Sequence, residues 1–248
     1  MANQTLLFAF TFGTFLLAGL VKGVVGLGLP TVVIGLLAVV MPPAQAAALL
    51  VVPSLVTNLW QSAVGGHLAA LLSRLWPMLL GICAGTFAGA RVLPGTGGPH
   101  ATTALGIALI VYAVVGLCAF RLAVPARGEC WLSAAVGIAT GMITAATGVF
   151  VIPAVPYLQA LELDKDELVQ ALGMSFMVST AALAVVLVQA GSLQVEIAGA
   201  SALAIAPAVI GMALGQWLRG RVPPAAFRLC FFVGLLLLGA HLALRPWL

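Results

Sequence analysis

Apolar runs of membrane-spanning length follow one another from one end of this chain to the other, and they constrain its fold more than any other feature. They lie at about 5–25, 29–41, 44–64, 73–93, 101–120, 132–147, 149–160, 168–190, 197–218 and 227–244. A helix needs about 20 apolar residues to cross the hydrocarbon core, so the runs leave no room for a sizeable soluble domain. Hydrophobic residues make up 63% of the 248 residues and charged residues 6%. A soluble domain carries about a quarter charged residues, so the polar surface that a water-soluble globule needs is missing. The runs are too long and too rich in Gly and Ala for barrel strands, which alternate over roughly ten residues. The expected class is therefore all-α, a polytopic helical membrane protein with about 8–10 membrane segments. The opening "MANQTLLFAF" has no basic stretch before its apolar residues; it is expected to begin the first membrane helix rather than to be a cleaved signal peptide.

The chain repeats itself. "PMLLGICAGTFAGARVLP" (Pro77 to Pro94) aligns without gaps on "PAVIGMALGQWLRGRVPP" (Pro207 to Pro224), matching Pro77 to Pro207, Gly81 to Gly211, Gly85 to Gly215, Arg91 to Arg221, Val92 to Val222 and Pro94 to Pro224. Upstream, "GLVKGVVGLGLP" pairs with "GIATGMITAATG", setting Gly19 opposite Gly137 and Gly23 opposite Gly141. An insertion around the acidic "ELDKDEL" (Glu162 to Leu168) accounts for the change of register between the two blocks. Two homologous repeats are expected, 1–124 and 130–248, joined by a linker from Arg121 to Cys130. Each half shows five segments, two of them short and joined at the glycine-rich break; these glycine-broken helices are either discontinuous, each one spanning, or together form a re-entrant hairpin. Odd parity makes the halves inverted. With the N-terminus outside, Lys22, Arg74, Arg121, Arg127, Lys165, Arg219, Arg221 and Arg228 fall on or nearer the cytoplasmic side, and Arg91 and Arg245 outside, which suits the positive-inside rule. The alternative is even parity, eight spans in two parallel bundles, and it fits the charges less well.

The break itself points to function. "LVKGVVGLGLPT" (Leu20 to Thr31) sets Lys22, Gly23, Gly26, Gly28, Pro30 and Thr31 inside a very apolar region. Irregular backbone is tolerated at membrane depth only where protein or a polar cavity surrounds it, and Pro30 suits the first turn of a new helix. A helix start presents free N–H groups and partial positive charge. The second-half echo, Thr140 to Phe150, carries Gly141, Thr144, Thr147 and Gly148. In an inverted fold the two breaks are expected to face each other near the midplane as an anion site. Polar residues of the third run, Ser54, Asn58, Gln61 and Ser62, fall on neighbouring turns, beside Thr57; the second-half counterpart carries Ser175, Ser179 and Thr180. These are candidate substrate-lining residues, with helix–helix hydrogen bonding as the competing role. Helix packing is the competing role for the glycines, and the expected one for Gly81, Gly85, Gly89, Gly211 and Gly215. For Lys22 the alternatives to substrate contact are snorkelling to the cytoplasmic interface and coupling through protonation.

The glycine-rich stretch after the first run, its weaker echo and the overall length resemble the sulfite exporter TauE/SafE family of membrane permeases. "AGLVKGVVGLGLPT" carries the resemblance most specifically, with "GLGLP" standing where many members have consecutive glycines. The resemblance implies a secondary transporter in the bacterial inner membrane for a small anion, such as sulfite, an organosulfonate or an organic acid, working by alternating access. An accessory or structural subunit of a larger membrane complex is the alternative. An intramembrane enzyme is disfavoured, since no paired intramembrane aspartates, His-Glu metal motif or Ser-His site is present; no catalytic or metal residue is assigned. No cofactor is expected, and no G-x-x-x-x-G-K-[ST] loop offers ATP drive. Cys83, Cys118, Cys130 and Cys230 form no CxxC pair and are expected to act as small hydrophobes. The net charge of +4 is scattered over loops, which speaks for topology rather than nucleic acid. The expected partners are the small anion and the lipid bilayer, and a homodimer is left open.

Overall fold

A computed structural model describes residues 2–93, 95–98, 100–118, 124, 128–219, 221 and 224–247. Pro94, Pro99, Arg121, Arg127, Val222 and most of the expected linker lie outside the described residues, as does the side chain of Glu196. The described chain is all-helical. In order it forms α1 (Ala2–Val25), α2 (Leu29–Leu37), α3 (Pro43–Ala63), α4 (Leu68–Val92), α5 (Ala101–Cys118), α6 (Glu129–Thr147), α7 (Ala154–Ala160), α8 (Lys165–Gln189), α9 (Val195–Leu203), α10 (Ile205–Arg219) and α11 (Pro224–Leu244). Among the described residues eight stretches are long and apolar enough to cross a membrane: α1, α3, α4, α5, α6, α8, α9 with α10, and α11.

Two expected runs come out differently. The run at 197–218 divides at Ala204, because Pro207 has no N–H to give the carbonyl of Leu203 and the chain restarts as α10. The run at 149–160 is helical only from Ala154; residues 149 to 153 follow a non-helical path although Val149, Phe150, Val151 and Ile152 are all buried.

Glycine decides which helices touch. α1 packs on α10 and α4 on α6. A methyl group on Gly23 would lie 2.2 Å from the carbonyl oxygen of Met212, and one on Gly215 would lie 2.2 Å from that of Leu20. In the other pair, a methyl on Gly85 would sit 2.1 Å from the oxygen of Ile138, and one on Gly141 2.3 Å from that of Ile82. Backbones this close exclude any side chain, so dispersion contacts between the helices are made at short range. Both pairs run parallel: Gly19 meets Ala208 and Gly23 meets Met212 and Gln216, while Gly81 meets Ala134 and Gly89 meets Met142 and Ala145. The two remaining major pairs, α3 with α8 and α5 with α11, run antiparallel: Ser54 bonds Thr180 and Ser62 bonds Gln170, and Gly106 meets Ala243 while Gly116 meets Phe232.

α1 and α3 also run parallel, since Lys22 bonds Thr57 and Gly26 bonds Gln61. The intervening α2 therefore returns along them, so that Met41 lines one groove with Phe8 and Phe12 near the start of α1. α7 returns in the same way along α6. The Tyr157 hydroxyl donates to the carbonyl of Glu129 (3.2 Å), and Arg74 of α4 closes the same corner, donating to both carboxylate oxygens of Glu129 (2.6 and 3.0 Å) and to the Leu161 carbonyl (3.4 Å). At the opposite end Arg245 donates to the carbonyl of Ala38, the C-cap of α2 (3.1 Å). α3 is held mid-length by a different device. Pro53 cannot donate to the Leu49 carbonyl; Ser201 of α9 supplies that hydrogen bond (2.7 Å) and accepts one from the Val52 N–H (3.1 Å).

Candidate functional site

α1 stops at Val25 and α2 starts at Leu29, and the turn between them rests on glycine. Gly26 has φ 85° and Gly28 φ 108°, values that place both in left-handed space, where a Cβ costs roughly 1–2 kcal/mol. The Gly26 N–H still closes the last turn of α1 on the Lys22 carbonyl (2.7 Å), while the Gly26 carbonyl turns away and accepts from Gln61 Nε2 (3.1 Å). The same amide donates to the carbonyl of Val169 in α8 (2.9 Å). One side chain thus ties the break to α3 and α8. α2 begins with Pro30 in its first turn and no side-chain cap, and Thr31 donates to the Gly28 carbonyl (2.9 Å).

One turn before the break, Lys22 turns its ammonium into the protein. It is 4% exposed. Nζ donates to Thr57 Oγ1 (3.0 Å) and to Asn58 Oδ1. Among the described residues it has no ion pair; the acid–base bridge of the described chain is Arg74 with Glu129. The amine is held only by neutral oxygens, so no internal counter-ion competes with a ligand for it, and burying it in the charged form without one is costly. The polar seam continues along α3. Asn58 Nδ2 donates to Ser54 Oγ (3.0 Å), Ser54 meets Thr180 Oγ1 of α8 (2.9 Å), and Gln170 Nε2 donates to the Ser62 carbonyl (2.7 Å). On its far side, Thr57 also borders a groove of about 540 Å³ between α3 and α10, with Trp60, Met212 and Gln216.

The structure therefore gathers Lys22, Gly26, Ser54, Asn58 and Gln61 into one buried seam. Gly28 and Thr31 shape the adjoining turn. Gly23 and Gly141 lie instead in the α1–α10 and α4–α6 contacts, where they serve packing. Thr144 and Thr147 spend their hydroxyls on carbonyls of their own helix, Thr140 (2.7 Å) and Ile143 (2.7 Å). Gly148 ends α6 with φ 76° and lies against Ile34 and Ala47. Ser175 and Ser179 are one turn apart on α8, with buried hydroxyls that have no hydrogen-bond partner among the described residues.

The two breaks do not face each other. The first lies beside Gln61 and the second beside Ala47, which is roughly 21 Å along α3 at 1.5 Å per residue. Each break closes the end of a helix rather than the middle of the bundle. Thr57, named only beside the polar face, proves a direct acceptor for Lys22, and two contributors were not singled out by the sequence: Gln170 as a strut to Ser62, and Ser201 as the donor that Pro53 requires. The last had a signal, because a proline inside a span leaves a carbonyl in need of a donor.

No curated protein and no solved structure matches the chain. A family model does, over residues 11–242. With eight apolar helices of membrane-spanning length and this match over nearly its whole length, the chain is a multi-pass membrane protein that belongs to the sulfite exporter TauE/SafE family, a family of membrane transporters.

Proposed function

We propose that this protein is a secondary permease that carries a small anion across the bacterial inner membrane, with Lys22 as the charge that receives it. Sulfite, organosulfonates and related organic acids are the substrate class. The carrying observation is the buried amine of Lys22, whose partners among the described residues are all neutral. Thr57 Oγ1 and Asn58 Oδ1 stand where an anion's oxygens would bind, and the anion displaces them. The adjoining turn at Gly26–Gly28 and the uncapped start of α2 add partial positive charge.

The transport cycle in this reading is alternating access between two inverted repeats, 1–124 and 130–248. Support comes from helix direction. α1 and α3 run parallel with α2 returning between them, and α7 returns along α6; in this reading each half makes five crossings and starts from the opposite face. Exchange of α1 with α6 and of α4 with α10 maps the α1–α10 contact onto α6–α4. With the N-terminus outside, Lys22, Arg74, Lys165, Arg219, Arg221 and Arg228 gather at the cytoplasmic end and Arg91 and Arg245 at the other.

Flux of radiolabelled sulfite, methanesulfonate and acetate into proteoliposomes made from the purified chain tests the reading. Wild type is expected to transport at least one of the sulfur anions. Lys22→Gln is expected to lower flux at least tenfold at wild-type amounts of inserted protein. Lys22→Arg is expected to recover it only in part, because a planar guanidinium replaces a point charge poorly. Wild-type flux in Lys22→Gln would refute the role of Lys22.

A further inference from the structure

We infer that Thr180 is a positioning residue for the transport site: acting through Ser54, it fixes which end of the Asn58 amide faces Lys22. The argument is a count of hydrogens. Thr180 has one hydroxyl hydrogen, and it goes to the carbonyl of Phe176 (2.7 Å). Thr180 Oγ1 can then only accept from Ser54 across 2.9 Å. With its own hydrogen committed, Ser54 Oγ must accept from Asn58 Nδ2 (3.0 Å). That leaves Oδ1 of Asn58 turned toward the ammonium, which has donors and no acceptor. The second partner of Lys22 is oriented likewise, since Thr57 gives its hydrogen to the Pro53 carbonyl (2.8 Å) and offers Lys22 a lone pair.

The chain of bonds runs in one direction, from Lys22 of α1 through Asn58 and Ser54 of α3 to Thr180 and Phe176 of α8. Lys22, Asn58, Ser54 and Thr180 are all buried, so no water competes for the hydrogens. Removing the Thr180 hydroxyl frees the Ser54 hydrogen to turn to Asn58. The Asn58 amide then loses its fixed acceptor, and its oxygen is held less firmly toward the ammonium. Lys22 keeps a weaker internal acceptor in the empty protein, whereas an anion bound at Lys22 supplies its own oxygens. Loss of the Thr180 hydroxyl therefore favours the anion-bound form and slows release.

This inference rests on Lys22 as the anion's contact, and two measurements separate the two claims. The first needs no ligand: thermal unfolding in detergent of wild type, Thr180→Val, Asn58→Ala and the double variant. Strong non-additivity is expected, with Thr180→Val costing little once Asn58 is gone, and Thr180→Ser is expected to unfold like wild type. Additive effects would overturn the relay whatever the substrate is. The second is sulfite flux against concentration. Thr180→Val is expected to lower KM about fivefold and to lower kcat, with Thr180→Ser restoring both. An unchanged KM in Thr180→Val, or no rescue by Thr180→Ser, would overturn the positioning role. Failure of wild type to carry sulfite or methanesulfonate would refute the functional reading and leave the relay standing on the unfolding cycle.

Discussion

Gly23 and Gly26 sit three residues apart and do different work. A methyl on Gly23 meets the Met212 carbonyl oxygen at 2.2 Å, a backbone atom that can yield only if α1 and α10 separate. A methyl on Gly26 meets nothing closer than Val169 Cγ2 at 3.9 Å, but its φ of 85° is left-handed. The obstacle at Gly23 is space, and at Gly26 it is conformation. Gly23→Ala is therefore expected to reduce the yield of folded protein and its unfolding temperature. Gly26→Asn, which tolerates left-handed φ, is expected to fold and to transport better than Gly26→Val, for which that region is strained. Thermal unfolding and sulfite flux on the same preparations check both. Equal loss for Gly26→Asn and Gly26→Val would show that the space around Gly26, not its backbone angle, is what matters. Lys22 answers to the same kind of distinction. A snorkelling lysine keeps its head in water, whereas this one is buried with its ammonium on Thr57 and Asn58.

Helices were legible in the sequence where apolar residues continue for a full span, and less so where a proline intervenes. The sequence shows Pro53 and Pro207 equally plainly, yet α3 continues through Pro53 while the later run breaks three residues before Pro207. The difference is tertiary: Ser201 reaches Leu49 and replaces the donor that Pro53 lacks. Ser201→Ala is expected to destabilise the protein by about 1–3 kcal/mol, the cost of a buried carbonyl left unpaired. In a Pro53→Ala background the new N–H restores the helix bond, so the same change is expected to cost clearly less. A full double-mutant cycle by denaturant unfolding measures the difference, and equal costs in both backgrounds would contradict the account. The polar seam was legible for a related reason, because Ser54, Asn58 and Gln61 stand out in an apolar run. Thr57 was harder to place, lying beside the expected face and joined to the site only by the length of a lysine side chain. Thr144 and Thr147 look equally polar in sequence, but backbone carbonyls of their own helix absorb their hydroxyls. Nor could glycine spacing name partners. It says that a close neighbour exists, not that α1 takes α10 and α4 takes α6.

In the whole molecule, the direction of the short segments sets the topology. If α2 and α7 fail to cross, each half has four spans and both halves enter the membrane from the same face. If they cross, each half has five and the halves are inverted. The contacts favour crossing, since α2 and α7 both reach the far ends of their neighbours, where arginines from the opposite half hold them: Arg245 on Ala38 and Arg74 on Leu161. The N-caps of α4 and of the α9–α10 run, His67 and Gln194, are both exposed and make a direct test. Neither has the left-handed backbone of the neighbouring Gly66 and Gly191, so a cysteine fits without strain. In a background lacking Cys83, Cys118, Cys130 and Cys230, His67→Cys is expected to react with a membrane-impermeant maleimide only after the cytoplasmic face is opened. Gln194→Cys is expected to react in intact spheroplasts. Labelling of both from one side would place eight spans in two parallel bundles. The parallel course of α1 and α3, fixed by Lys22 on Thr57 and by Gln61 on Gly26, would then need α2 to return along them without crossing the membrane. The opposite-side result requires no such detour and puts Lys22 one turn inside the cytoplasmic end of α1, at the depth where an anion from that side would first meet a buried positive charge.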